Sequence, residues 1–265
     1  MKTILLDIGG TFIKCSDSRQ FPISSEGSRE GIVTAIRRAI GPMEGLEGIG
    51  VAIPGPFDFR SGIFLMEHKF AAVYGESFRE LVRIPDSISI RFMHDVNAAL
   101  QGNIRLLDLY GQNVALVTLG TGLGFSYALQ GHIFTNEKGS PARGIWNLPY
   151  GGGILEDFVS GRGIRVRYSR KTGDATQSAL SIAKKAFAGE KAALEIYAQT
   201  GAILGEALAP ILRELKIDAL LMGGQISRSL ELMKTTLQNA LPGMPIIKAP
   251  EQAVFTGLGT LFENN

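Results

Sequence analysis

The chain has 265 residues, 45% of them hydrophobic and 20% charged, with a formal net charge of +2. That length and apolar content suffice for a sizeable core and for two domains, while scattered basic residues in a near-neutral balance give no surface for nucleic acid or an anionic membrane. A single cysteine, Cys15, excludes an intramolecular disulfide framework and a multi-cysteine zinc site.

The amino terminus enters a strand at Thr3–Leu6 without a basic n-region, and no stretch reaches about 18 uninterrupted apolar residues, so a cytoplasmic protein is expected. Asp7-Ile8-Gly9-Gly10-Thr11-Phe12-Ile13-Lys14 follows that strand, and strand-like composition resumes over Phe12–Ser16. On that second strand Cys15 is expected to be a buried, inert thiol. A helix is predicted over Ser28–Ile40, a strand over Gly48–Ile53, a helix over Ser77–Arg83 and a strand over Ser89–Met93. Next come Asp95, at a strand end just ahead of a helix over Val96–Leu106, and a Gly102–Gly111 segment suited to a hinge.

The second half repeats the opening. A strand over Val114–Leu119 meets Gly120-Thr121-Gly122-Leu123-Gly124, and a further strand runs over Gly124–Leu129. Arg162–Lys171 is the one basic concentration and suits a solvated helix face. Helices over Ser178–Phe187 and Glu190–Glu214, a strand over Ala219–Met222, a helix over Ser229–Asn239 and a strand over Pro245–Lys248 complete an α/β pattern.

Each glycine-rich turn alone suits either an ordinary hairpin or a phosphate cradle, because glycines let successive N–H groups converge on phosphate oxygens. Together they favour a polyphosphate, with threonine hydroxyls as further donors and an acidic residue for Mg²⁺. Neither turn has the spacing of a Walker loop or of the Rossmann fingerprint. Two β-hairpin cradles point instead to a duplicated actin-like ATPase architecture. Asp95 then has two readings, a helix cap or a general base that takes a proton from a substrate hydroxyl attacking phosphorus.

Asp7-Ile8-Gly9-Gly10-Thr11-Phe12-Ile13-Lys14, Ala52-Ile53-Pro54-Gly55-Pro56, His94-Asp95-Val96-Asn97-Ala98-Ala99, Leu119-Gly120-Thr121-Gly122-Leu123-Gly124 and Leu221-Met222-Gly223-Gly224-Gln225-Ile226-Ser227 resemble, in order, the motifs of the ROK family of sugar kinases and related repressors. The resemblance spans nearly the whole chain. It implies an actin-like, ribonuclease-H-like fold of two α/β domains around a cleft, residues 1–108 and 109–265, with the last helix packing back on the first domain. It further implies ATP-dependent phosphorylation of a hexose or hexose derivative, in a homodimer; with ATP and sugar on opposite walls of one cleft, sugar-dependent closure is expected. Asp95 is then the catalytic base, and Gly9, Gly10, Thr11, Gly120, Thr121 and Gly122 bind phosphates. Asp7 orients Mg²⁺ through water, and Gly223 and Gly224 join the nucleotide site. Lys14 falls on a phosphate counter-charge position or on the solvent face.

Several positions depart from the family pattern. The cysteine-rich zinc motif is missing from Ala142–Arg162, so no zinc is expected and that loop should be held by packing around Trp146 and Tyr150. The Glu-x-Gly-His sugar motif is not recognisable. Glu156 aligns with a family glutamate that contacts sugar hydroxyls, and its alternative is a surface glutamate on a helix. His94 replaces the usual asparagine, as a substrate contact or a packed side chain. His68 and Lys69 fall near a further family sugar-contact region. A sugar-binding protein without efficient transfer is the main alternative to a kinase. A transcriptional regulator is weaker, because the chain begins at the first core strand with no helix-turn-helix ahead of it.

Overall fold

The computed structural model of the chain describes residues 2–263. These divide into two compact units. One holds the residues up to Asp108, Phe134–Ala142 and the described residues from Gln252 onward; the other holds Leu109–Ile133 and Arg143–Glu251.

In chain order the first unit runs β1 (Thr3–Ile8), β2 (Phe12–Cys15), β3 (Gln20–Pro22), α1 (Arg29–Ile40), β4 (Gly48–Ile53), a small β5–β6 hairpin (Phe57–Asp58, Ile63–Phe64), α2 (Phe78–Val82), β7 (Ser89–His94) and α3 (Asp95–Leu106). Its sheet has the order β3-β2-β1-β4-β7, with β1, β4 and β7 parallel and β2 and β3 antiparallel. Composition explains the placing. Every residue of Gly48–Ile53 is buried, as in a central parallel strand covered on both faces, whereas β1 alternates. Ser28 stands just before α1 and its hydroxyl accepts the Gly31 N–H at 3.2 Å, which caps the helix. The Cys15 thiol is buried, donates to the Ala39 carbonyl at 3.6 Å, and is raised in pKa by burial.

The second unit continues with β8 (Val114–Leu119), β9 (Leu123–Leu129), β10 (His132–Ile133), a β11–β12 hairpin (Pro149–Tyr150, Gly153–Ile154), α4 (Glu156–Val159), α5 (Gly161–Thr172), α6 (Ala179–Phe187), α7 (Lys191–Glu214), β13 (Ala219–Gly223), α8 (Glu231–Ala240) and β14 (Ile246–Lys248). Its sheet order is β10-β9-β8-β13-β14, with β8, β13 and β14 parallel and β9 and β10 antiparallel. This is the arrangement of the first sheet again. The inward stripe of α7, including Ile196, Leu204, Leu208 and Leu212, fills the core of this unit.

The chain then returns to the first unit. Helix α9 (Ala253–Gly259) lies against α3 at very short range: a Cβ on Gly102 would fall 1.7 Å from the Ala253 carbonyl oxygen, and one on Gly257 would fall 1.9 Å from that of Ala98. Only glycine permits this approach. Leu258 is buried there with Ala52 and Ala98. Within the Gly102–Gly111 segment, Gly102–Leu106 is the last part of α3 and is fixed by packing on α9, and the division between the two units falls just beyond it, at Asp108–Leu109.

Candidate active site

The parallel strands of the first unit end on one edge of its sheet, where β1 delivers Asp7, β4 leads into Pro54-Gly55-Pro56 and β7 leads into His94-Asp95. In open α/β sheets the carboxyl ends of strands are where ligands bind. Asp7 stands opposite Lys14 in the β1–β2 ladder, with Lys14 Nζ 3.9 Å from Asp7 Oδ2. The register puts Lys14 beside the acid, with its side chain still 54% exposed. The turn between these strands is tied by Gly9 N–H to the Phe12 carbonyl at 2.9 Å, Ser25 N–H to Gly10 at 3.0 Å and Ile23 N–H to Thr11 at 2.9 Å. Gly9 and Gly10 are half-buried and Thr11 is exposed.

Asp95 is the first residue of α3. Its Oδ1 lies 2.7 Å from His94 Nδ1 and accepts the Val96 N–H at 2.8 Å, while Oδ2 takes no hydrogen bond from the described residues. Burial pushes this carboxyl up, but the His94 ring, by electrostatic attraction and a hydrogen bond, the Val96 N–H and the Lys69 charge together outweigh it and hold the pKa below the ordinary value. Asp7 goes the other way. Burial and then the Asp95 charge raise it from 3.8 to about 6, against a lowering by Lys14. Two carboxylates at one sheet edge thus have opposite tendencies, Asp95 to stay ionised and Asp7 to hold a proton or seek a cation.

The second glycine turn closes the β8–β9 hairpin, with Leu119 opposite Leu123. Gly120 N–H donates to the Gly122 carbonyl at 3.0 Å, and the Gly120 carbonyl accepts the Gly161 N–H at the start of α5 at 2.9 Å. Thr121 is exposed at its tip. Glu156 Oε2 accepts the Leu123 N–H at 2.8 Å, and a Cβ on Gly122 would fall 2.8 Å from that oxygen. Glu156 is therefore no surface glutamate; one of its oxygens braces the loop. Gly223 ends β13 opposite Thr118, and Gly224 follows with φ +84°, its carbonyl accepting the Ser227 hydroxyl at 2.6 Å. Both glycine-rich turns close β-hairpins, as expected, one in each unit.

Two expectations need correction. Trp146 does not hold the 143–155 loop, because it is 48% exposed; Ile145 and Leu155, both fully buried, do so, with Tyr150 packed on Phe158 at 5.0 Å between ring centroids. Arg167 does not belong to a solvated face. Its guanidinium turns inward to the Thr200 hydroxyl at 2.5 Å and the Gln199 side chain at 3.3 Å, and burial lowers its pKa to about 10. The sequence also gave no sign that Phe134–Ala142 joins the first unit, where Asn97 donates to the Gly139 carbonyl at 3.2 Å and Phe59 N–H to Lys138 at 3.0 Å. Among the described residues, no group of three or more His, Cys, Asp or Glu is gathered to hold a metal, and no helix is long and apolar enough to cross a membrane.

A model of the ROK family matches residues 3–145 and 148–256. The chain belongs to the ROK family. A ROK family glucokinase from Streptomyces griseus, solved in complex with glucose and AMPPNP, is similar with a TM-score of 0.80 at 22% identity, covering 98% of this chain and 98% of that one. A ROK hexokinase from Thermus thermophilus gives 0.71 at 22% identity, with 97% and 96% covered. A ROK family transcriptional regulator, a homologue of the E. coli MLC protein, gives 0.76 at 15% identity, with 98% of this chain and 81% of that one covered. No curated protein sequence matches the chain significantly. The two sheets of this ROK protein form the actin-like ATPase fold. A fold shared by kinases and a regulator does not by itself give an activity, which resides in the residues of the site.

Proposed function

We propose that this ROK protein is a kinase that transfers the terminal phosphoryl group of ATP to a hydroxyl of a hexose or hexose derivative. The observation that carries the reading is Asp95 at the end of β7: an ionised carboxylate with Oδ1 anchored by two N–H donors and Oδ2 unbonded. Such a group can take the proton of a sugar hydroxyl as its oxygen bonds to the γ-phosphorus and the bond to ADP breaks. A low pKa suits this role. Phosphoryl transfer passes through a loose transition state that asks for positioning and late proton removal more than for a strong base.

Asp7 fits Mg²⁺ by the chemistry of its donor: a hard carboxylate oxygen, held against its preference by burial and by Asp95, gains most from a nearby divalent cation. When bound, the ion neutralises charge on the β- and γ-phosphates. The turns Gly9-Gly10-Thr11 and Gly120-Thr121-Gly122 offer phosphate their threonine hydroxyls and the backbone N–H groups other than those of Gly9 and Gly120, which the hairpins themselves use; Lys14 adds a counter-charge, and Gly223-Gly224 belongs to the adenosine side. Glu156 has a second carboxylate oxygen for a sugar hydroxyl.

A coupled assay of ATP consumption over a panel of hexoses, amino sugars and N-acetylated sugars, with the phosphorylated product identified by mass spectrometry, tests the reading. Sugar-dependent ADP formation is expected. Tight sugar binding without turnover would replace it with the reading of a sugar-binding protein, which the loss of the family's sugar motif favours.

A further inference from the structure

His94 is the residue of this site that the chemistry above leaves without a task. Its ring is largely buried beside Phe59, with centroids 5.6 Å apart, and each ring nitrogen meets a protein group. Nε2 accepts the Gly55 N–H at 3.2 Å. An imidazole nitrogen that accepts carries no proton, so the single N–H of the neutral ring belongs to Nδ1. Nδ1 lies 2.7 Å from Asp95 Oδ1. The Val96 N–H is 3.3 Å from Nδ1 and 2.8 Å from Oδ1, and with Nδ1 protonated only the carboxylate accepts it. A one-way relay results, in which Gly55 fixes the tautomer of His94 and His94 fixes the plane of the Asp95 carboxylate.

Taking the kinase reading as its basis, we infer that His94 is a positioning residue for Asp95 and makes no contact with the sugar. A carboxylate at the first turn of a helix is otherwise free to rotate about its last torsion. With two donors on Oδ1, Oδ2 is the oxygen presented to the acceptor hydroxyl. The Pro54-Gly55-Pro56 segment enters the same task from the neighbouring strand, because it is the Gly55 N–H that puts the proton on the nitrogen facing Asp95.

The first arm of the test needs no substrate and so fails or succeeds apart from the kinase reading. In imidazole ¹⁵N spectra of the wild-type protein, with the His94 signals identified by their loss in His94→Asn, the neutral ring is expected as the Nδ1–H tautomer, and Asp95→Asn is expected to shift its Nδ1 resonance. A ring in the Nε2–H tautomer, or one indifferent to Asp95→Asn, would overturn the inference. The second arm is kinetic. His94→Ala and His94→Gln, which lack a donor at the Nδ1 position, are expected to lower kcat by roughly 10- to 100-fold, with the sugar KM within about twofold of wild type. His94→Asn, whose amide nitrogen falls near that of Nδ1, is expected to restore kcat to within about threefold of wild type. In an Asp95→Asn background, His94→Ala is expected to cost nothing further. A raised sugar KM at unchanged kcat in His94→Ala would make His94 a sugar ligand and end the proposal.

Discussion

Asp7 is a carboxylate that the folded protein holds at a disadvantage. Its pKa of about 6, against an ordinary 3.8, means that the native state binds the extra proton between those values, so this one group's contribution to stability is fully present below about pH 4 and is lost as pH rises through 6. The loss above pH 6 is about 3 kcal/mol. Asp7→Asn should therefore raise the melting temperature of the metal-free protein at pH 7.5 and leave it unchanged below pH 4, while abolishing Mg²⁺-dependent turnover. Calorimetry across that range, with and without Mg²⁺, checks both halves, and an unchanged melting temperature at pH 7.5 would contradict the account. Asp95→Asn separates chemistry from binding: kcat should fall by about two to four powers of ten while ATP affinity moves by less than about twofold. Stopped-flow turnover and nucleotide titration on one preparation measure the two. The positions of both acids were legible in the sequence because a glycine turn follows the apolar run that holds Asp7 and a helical pattern follows Asp95. The engagement of His94 was not, since its partner Gly55 lies 39 residues away and meets it only once β4 and β7 are paired.

Among the elements, the bracing of the second glycine turn by α4 makes the clearest prediction. Glu156→Gln keeps an acceptor for the Leu123 N–H but would weaken the proposed contact to a sugar hydroxyl, so it should raise the sugar KM by about tenfold and leave the ATP KM near wild type. Glu156→Ala removes both and should raise the two KM values together. Initial-rate kinetics in each substrate distinguishes the patterns, and identical behaviour of the two variants would dissociate Glu156 from the loop. The long strands were legible to within a residue or two because β4, β8 and β13 are continuous apolar runs between turn residues. Gln20–Pro22 and the hairpins β5–β6 and β11–β12 were not. Ladders of two or three residues carry too little period for their sequence to show, and they exist because tertiary packing brings their backbones together. The misplaced role of Trp146 has the same root: a lone large aromatic in a loop looks like an anchor, yet the smaller Ile145 beside it points inward.

For the molecule as a whole, the repeated sheet order is the deepest regularity, and the sequence announced it only through two glycine turns. The matching antiparallel pairs and parallel strands are set by hydrogen bonding between segments that share little visible similarity. The family's usual zinc ligands are missing from the chain, so its melting temperature and activity should survive a zinc-selective chelator; elemental analysis showing one tightly bound zinc per chain would contradict this. The embrace of α3 by α9 has a consequence for biosynthesis. The helix that begins with Asp95 emerges from the ribosome early, but the partner that covers Ala98 and Gly102 is translated only after the entire second unit. Until then the nascent first unit exposes an apolar face, which marks a window for chaperone capture. A chain ended just before Ala253 should stay in that state, with the first unit digested by protease far faster than in the full chain while the second resists.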